Sequence, residues 1–449
     1  MTPFDMRWEW EAGEGVRDAV ERNTWARLTL LVDGIEVTRA RDRIARAERE
    51  AIIVPLFPLA CWLVENWWSL LYEPRIMDSL PEPGASMDPE VREWLLRHNM
   101  RTAATGFALP FATLFSEGKD VAVAWSPDPV GRYKHVPVEF TASGRCVVPR
   151  DSVSSKLTEL VESVLGRFDG VADARVDMLK ADWRAICDGR GAEAEICRAA
   201  GRLGLDPYST AEWPQAALAW LEGSELGELD GSLATDMLET PDAVTVGPAL
   251  YARLRDAARQ LRLGPSPPAP ASSGHSATRA FEEGYRAAAQ IRQHLSLADD
   301  DPLEDLSDAS TKAVGWALTP RHDDSIFGGS VGAMVGWAPN PGPVIVTRGQ
   351  LREDRQRFVL GRGLYLALTG MHEGPRLVTE ARVWDQRASR AFSAELLAPR
   401  LGVIRRYHQE MKAIGDEDES EERVAQHYRV SRRLVGLQLE NAHRCQTEW

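Results

Sequence analysis

The sequence predicts a multidomain α+β protein: an N-terminal α+β domain with a mainly antiparallel sheet, a helical middle region, and a mostly helical C-terminal domain with a small sheet. Three observations predict it. The 449 residues are about three times the ~150-residue prior for one domain. Short alternating apolar runs with Asp-Gly and Ser-Gly turn signals fill the first third. Beyond residue 170, apolar positions recur at helical intervals, interrupted by GPSPPAPASSGHSAT (264–278), which has no large apolar side chain from which to build a core. These features divide the chain into an α+β block (1–170), a helical bridging region (171–263), a Pro/Ser/Gly-rich linker (264–279) and a C-terminal domain (280–449).

In the first block, Trp25 to Val32 and Ile35 to Thr38 flank Asp33-Gly34, the pattern of a β-hairpin. Ile52 to Tyr72 places Leu63, Trp67, Leu70 and Leu71 at helical spacing and predicts a core helix. Pro55, Pro58, Glu65 and Asn66 argue against a membrane span there, since a charge at the centre of one costs about 2.5–3.5 kcal/mol. Trp67 and Trp68 read as packing rather than as a platform for a planar ligand. Val121, Val123 and Trp125 alternate, and VPVEFTASGRCVVP has a turn signal at Ser143-Gly144, so a second hairpin or meander is expected. From Asp151, taken as an N-cap, Leu157, Leu160, Val161, Val164, Leu165 and Phe168 predict a helix covering that sheet. In the bridging region, Ile196, Ala199, Ala200 and Leu203 form one helical stripe that stops near Gly204. No residue pattern gives the 1–170 block a role.

Composition narrows the function. With 53 basic and 67 acidic residues the net charge is −14, which disfavours non-specific binding to nucleic acid or an anionic membrane. The five cysteines include no CxxC pair, which argues against a disulfide framework or a zinc ribbon. The start, MTPFDMRWEWEAGEG, is acidic and Trp-rich, unlike a secretory signal, so a cytoplasmic location is expected. His275, within the linker, reads as a solvated histidine.

After the linker, Phe281, Tyr285, Ala288, Ile291 and Leu295 define an amphipathic helix, followed by ADDDP and a short helix in LEDLSDAST. PVIVT reads as a strand, and RQRFVLGRGLYLALTG, DQRASRAFSAELLAPR and EERVAQHYRVSRRLVGLQLENA as helices.

In this order, the segments of residues 280–449 resemble the ImmA/IrrE family of zinc metallopeptidases, whose fold is zincin-like. The resemblance rests on Arg357, Phe358 and Leu360, on Phe392, Ala394, Glu395, Leu396, Leu397 and Pro399, and on Val430-Ser431. A working HExxH helix sets two imidazoles one turn apart around Zn²⁺, with the glutamate as general base. In the register set by Arg357-Phe358, Arg362 stands at the first histidine, Gly363 at the glutamate and Leu366 at the second histidine, while Gln386 falls at the third ligand. Arginine offers a cation no lone pair, glycine and leucine offer no donor, and an amide is a poor zinc ligand.

The resemblance therefore implies a degenerate metallopeptidase: a pseudoenzyme without catalytic residues and without zinc. It would act as a sensor, adaptor or regulatory binding subunit in a bacterial stress-response or phage-defence system. Its partner would be a protein or peptide segment in a former substrate groove lined by Arg362, Leu366 and Gln386.

Two alternatives follow from other residues. His322, Asp323, Asp324 and His372-Glu373 could supply relocated zinc ligands for a working peptidase, although no histidine pair has HxH or HxxxH spacing. The terminal helix-turn-helix pattern, with Arg429, Arg432 and Arg433 clustered at its second helix, could contact DNA, against the acidic run GDEDESEE just upstream. No GxSxG elbow, cysteine-nucleophile signature or phosphate-binding glycine loop is present, the GxG at Gly361 to Gly363 being too sparse.

Overall fold

The computed structural model describes residues 3–77, 81, 87–104, 106–129, 137–223, 228–264, 279–338, 342–349, 351–369 and 374–447. The chain forms two compact units, Met1–Trp213 and Pro214–Trp449, and is a multidomain α+β protein with a mostly helical C-terminal half.

The first unit contains β1 (Phe4–Trp10), α1 (Ala19–Asn23), β2 (Trp25–Val32), β3 (Ile35–Glu36), β4 (Ala40–Asp42), β5 (Ala47–Arg49) and β6 (Ile52–Pro55). These lead into α2 (Leu56–Glu65), α3 (Trp67–Tyr72), α4 (Pro89–His98), β7 (Phe111–Glu117), β8 (Asp120–Ser126), β9 (Val138–Phe140) and β10 (Gly144–Pro149). Three helices follow: α5 (Arg150–Leu165), α6 (Ala174–Asp188) and α7 (Ala192–Arg202). The ladders among these strands are antiparallel, as expected. Val32 faces Ile35 across the predicted hairpin, and Asp33 and Gly34 both take positive φ (50° and 77°), which matches the twist of the flanking strands.

Several expectations for this unit are corrected. The expected hairpin or meander is present as β7–β8–β10, but Ser143-Gly144 does not close it, because β9 pairs with β4 and β10 with β8. Ile52 to Tyr72 is a strand and two short helices, interrupted at Asn66, whose side-chain amide donates to the Trp62 carbonyl (2.8 Å). Its three tryptophans have internal partners: Trp62 donates to the Leu96 carbonyl, Trp67 packs edge-on against Trp183, and Trp68 donates to the Tyr208 hydroxyl. Asp151 lies in the first turn of α5, whose cap is Pro149; the predicted apolar stripe is buried through Leu157, Leu160, Val161 and Val164.

The 171–263 region is not one body. Val176, Leu179, Trp183 and Ile186 of α6, with Cys197 of α7, join the core of the first unit, while its remaining helices belong to the second. Large apolar residues on those first helices complete an existing core, and sequence periodicity does not reveal which core a helix joins. Of the expected 264–279 linker, residues 265–278, with His275, fall outside the described residues.

The second unit contains α8 (Gln215–Gly223), α9 (Ser232–Leu238), α10 (Ala243–Gln260), α11 (Ala280–His294), α12 (Leu306–Val314), β11 (Thr319–His322), β12 (Val331–Trp337) and β13 (Pro343–Thr347). It continues with α13 (Glu353–Leu368), β14 (Arg376–Thr379), α14 (Trp384–Leu397), α15 (Arg400–Ile414), α16 (Glu417–Tyr428) and α17 (Arg432–Thr447). Its sheet has the order β11-β13-β12-β14; β12 runs antiparallel to both neighbours, and β11 runs parallel to β13. Leu364 and Leu366 of α13 meet Val335 and Ile345 of the sheet and Phe392 and Leu396 of α14 in one core. Behind α14 lies α11, so close that a Cβ on Gly284 would stand 2.3 Å from the Ala388 carbonyl oxygen. No helix among the described residues is long and apolar enough to cross a membrane.

Candidate functional site

The site is built where α13, α14 and the edge strand β14 meet. Arg357, near the start of α13, is buried and donates to the carbonyls of Leu303 and Glu304, which fixes this helix against the segment before α12. One and a half turns later Arg362 is buried as well, only 7% exposed. Its Nε donates to Ser389 Oγ (3.1 Å), and its Nη2 to Gln386 Oε1 (2.8 Å) and the Thr379 carbonyl (2.6 Å). The two positions that the register assigns to the first and third ligands, 24 residues apart, thus meet in a direct hydrogen bond.

Gln386 does more than accept from arginine. Its Oε1 also accepts from Thr379 N (2.9 Å) and its Nε2 donates to the Leu377 carbonyl (2.7 Å), so the side-chain amide pairs with β14 as a peptide unit would. Ser389, one turn on, donates to the Gln386 carbonyl (2.9 Å) while accepting from Arg362. Gln386, Ser389 and Thr379 are fully buried. At the other end of the strand Asp236, on α9, accepts from Leu377 N (2.8 Å) and from Arg376 Nε (2.7 Å) and Nη2 (2.9 Å).

The electrostatics exclude a divalent cation. The three groups that accept from Arg362, a hydroxyl, a carbonyl and an amide oxygen, are all neutral. Burial, and then the nearby Arg390, push its guanidinium well below the usual arginine range, with Glu380 pulling the other way. Three hydrogen bonds hold the charged form in place, and a fixed positive charge where a metal would bind repels one. Gly363 has no room for a general base: a Cβ there would stand 2.8 Å from Ile345 Cδ1 and 3.2 Å from Val335 Cγ2. Gly361 is equally confined, its Cβ falling 2.5 Å from Ser393 Oγ. The GxG of α13 therefore seats the helix between sheet and α14. Leu366 is fully buried in the core. The residues present do not fit zinc.

The expectation that Arg362, Leu366 and Gln386 line a groove is corrected by their burial: arginine and glutamine are engaged by the scaffold, and leucine is core. Other proposed ligands turn to separate partners. His322 contacts Thr347 Oγ1 and Gln356, Asp323 accepts from Ser325, and Asp324 accepts from Gly349 N. Among the described residues no group of three or more histidine, cysteine or acidic side chains could hold a metal. His372-Glu373 lies outside the described residues. Burial pushes the Cys61 thiol up to about 11, unsuited to a nucleophile.

At the terminal helices Arg429 bonds Glu304 and Glu353, and Arg432 bonds Glu421 and Asp418; Arg433 is exposed. Two of the three arginines proposed to meet DNA therefore face carboxylates of their own chain. Sequence reasoning missed Ser389, Thr379, Asp236 and Arg376. The i, i+3, i+7 spacing of Gln386, Ser389 and Ser393 signals a polar stripe facing α13, whereas Asp236 and Arg376 stand 140 residues apart and leave no local signal.

Compared with protein-family models, with curated proteins and with solved structures, the chain matches none.

Proposed function

We propose that residues 280–449 form a non-catalytic ImmA/IrrE-like pseudopeptidase domain, and that the chain works by binding, as a sensor, adaptor or regulatory subunit in a bacterial stress-response or phage-defence system in the cytoplasm. The observation that supports this most is the 2.8 Å bond between Arg362 and Gln386. Positions chosen only by aligning an Arg-Phe pair and an FSAELL segment come together in space, as two ligands of one ion would. What stands there is a cation and an amide, braced by Ser389 and Thr379. Such a cluster can hold a strand in place but cannot polarise water. Selection on this scaffold then acts through recognition of a protein partner or peptide segment.

The experiment is to restore the ligands. A variant carrying Arg362→His, Leu366→His and Gln386→Glu, leaving Gly363 untouched, is expected to take up about one zinc per chain by elemental analysis, three donors sufficing for a catalytic-type site. The unaltered chain is expected to take up none. A folded triple variant that binds no zinc means these positions never formed a metal site, and the reading falls. Stoichiometric zinc in the unaltered chain overturns it equally.

A further inference from the structure

We infer that Arg376 and the Leu377 amide form a receptor for a peptide carboxylate on the edge of β14, held closed by Asp236 acting as an internal stand-in for that carboxylate. The inference rests on the proposed reading of the domain as a binding module.

An edge strand ordinarily presents unpaired amides and carbonyls to which an extended peptide can add. β14 uses one edge for β12, where Val378 and Arg376 pair with Ala333 and Val335. On its other edge the backbone groups of Leu377 and Thr379 are all taken by side chains. Asp236 takes the Leu377 amide, Gln386 the Leu377 carbonyl and the Thr379 amide, and Arg362 the Thr379 carbonyl. The edge is thus already augmented, by side chains in place of a strand.

Of these occupants, Asp236 is the one that marks a ligand. Its two oxygens meet the Arg376 fork in the two-pronged geometry by which guanidinium recognises carboxylate, and one oxygen also accepts a main-chain amide. Any acidic side chain or C-terminal carboxylate of an extended peptide satisfies the same three donors. The Arg376 side chain is 11% exposed, and Asp385, which bonds it from the other side, is 38% exposed. Asp236 stands on a short element. Aspartate is a poor residue for a helix interior, and α9 has seven residues and no side-chain N-cap. Arg362 and Gln386, by contrast, are wedged between two long helices.

Two measurements on the full chain test this. In the unaltered protein, amide exchange at Leu377 is expected to proceed by local opening, faster than at Leu364 and insensitive to low denaturant. Exchange at Leu377 only through global unfolding makes Asp236 a permanent strut and overturns the proposal. The second measurement uses two synthetic peptides of alternating threonine and valine, one with a central aspartate and one with asparagine there, added to Asp236→Ala and, should that fail to fold, to Asp236→Asn. The aspartate peptide is expected to bind at least about tenfold tighter than its twin by fluorescence anisotropy, with new exchange protection at Leu377. Equal binding, or none, by a folded variant overturns the proposal. Zinc uptake by the restored-ligand variant is an independent readout, so failure here leaves the pseudopeptidase reading standing, and failure there leaves the carboxylate receptor to be judged on its own result.

Discussion

Arg362 and Gln386 contribute unequally to their shared hydrogen bond. Gln386→Leu would orphan the Thr379 amide and the Leu377 carbonyl and take an acceptor from a buried cation; a loss of about 3 kcal/mol or more is expected in urea denaturation. Arg362→Met removes the buried charge itself, and the Thr379 carbonyl keeps a longer contact with Arg390 (3.4 Å). Its cost should stay near 1 kcal/mol, because replacing a buried ion by a well-packed apolar chain is often neutral. If the arginine variant proves the more damaging, the guanidinium is the organising group and this ordering fails. Gly363→Ala should cost about 1–3 kcal/mol, since its methyl would press into Ile345 and Val335.

Among the elements, α12 shows how local chemistry sets a boundary. Asp305 accepts from Ser307 N and Asp308 N, and Gly315 ends the helix at φ 77°. Asp305→Ala should lower stability by about 1 kcal/mol, the usual worth of a side-chain cap, and a loss indistinguishable from zero would mean the cap is dispensable. The α16–α17 pair has the helix-turn-helix outline, with Arg429 at positive φ closing α16 and Ser431 Oγ accepting from Leu434 N. Outline alone does not make a DNA reader. With Arg429 and Arg432 bound to their own carboxylates, duplex binding should be undetectable at about 0.15 M salt, and Arg432→Ala with Arg433→Ala should change nothing in a mobility-shift titration.

For the molecule as a whole, two buried carboxyls give the units opposite responses to acid. In the first unit, burial pushes Glu73 up, but His98 and Arg97 outweigh it and hold it below its ordinary 4.5. A depressed value means stabilisation that is present above about pH 4.5 and lost as acid titrates through the folded-state value. In the second unit, burial raises Glu395 against the pull of Arg400 and Gln438. A raised value means stabilisation that is full below about pH 4.5 and lost as pH rises through the folded-state value. As pH falls through its folded-state value, Glu395 should therefore favour the second unit, and below about pH 4.5 Glu73 should disfavour the first. Glu395→Gln and Glu73→Gln should each flatten their own limb, read as exchange protection at Leu396 and Leu114. A change in both units from either variant would contradict the assignment.

By itself the sequence determined the α+β class, the antiparallel first sheet, the Asp33-Gly34 hairpin, the strand at 343–347, and the helices after residue 279 other than α15. These follow from local rules, period-2 or period-3.6 patterning and turn residues, which act over a few neighbours. It also pointed to Arg362 and Gln386. Only the tertiary structure decided that these two residues bond to each other and to β14, that Gly361 and Gly363 serve helix packing, and that residues 171–263 divide between two units. The pairing of Asp236 with Arg376 belongs there too. Close packing and the satisfaction of buried polar groups join residues more than a hundred positions apart, and nothing in the local pattern of a chain records which distant groups will meet.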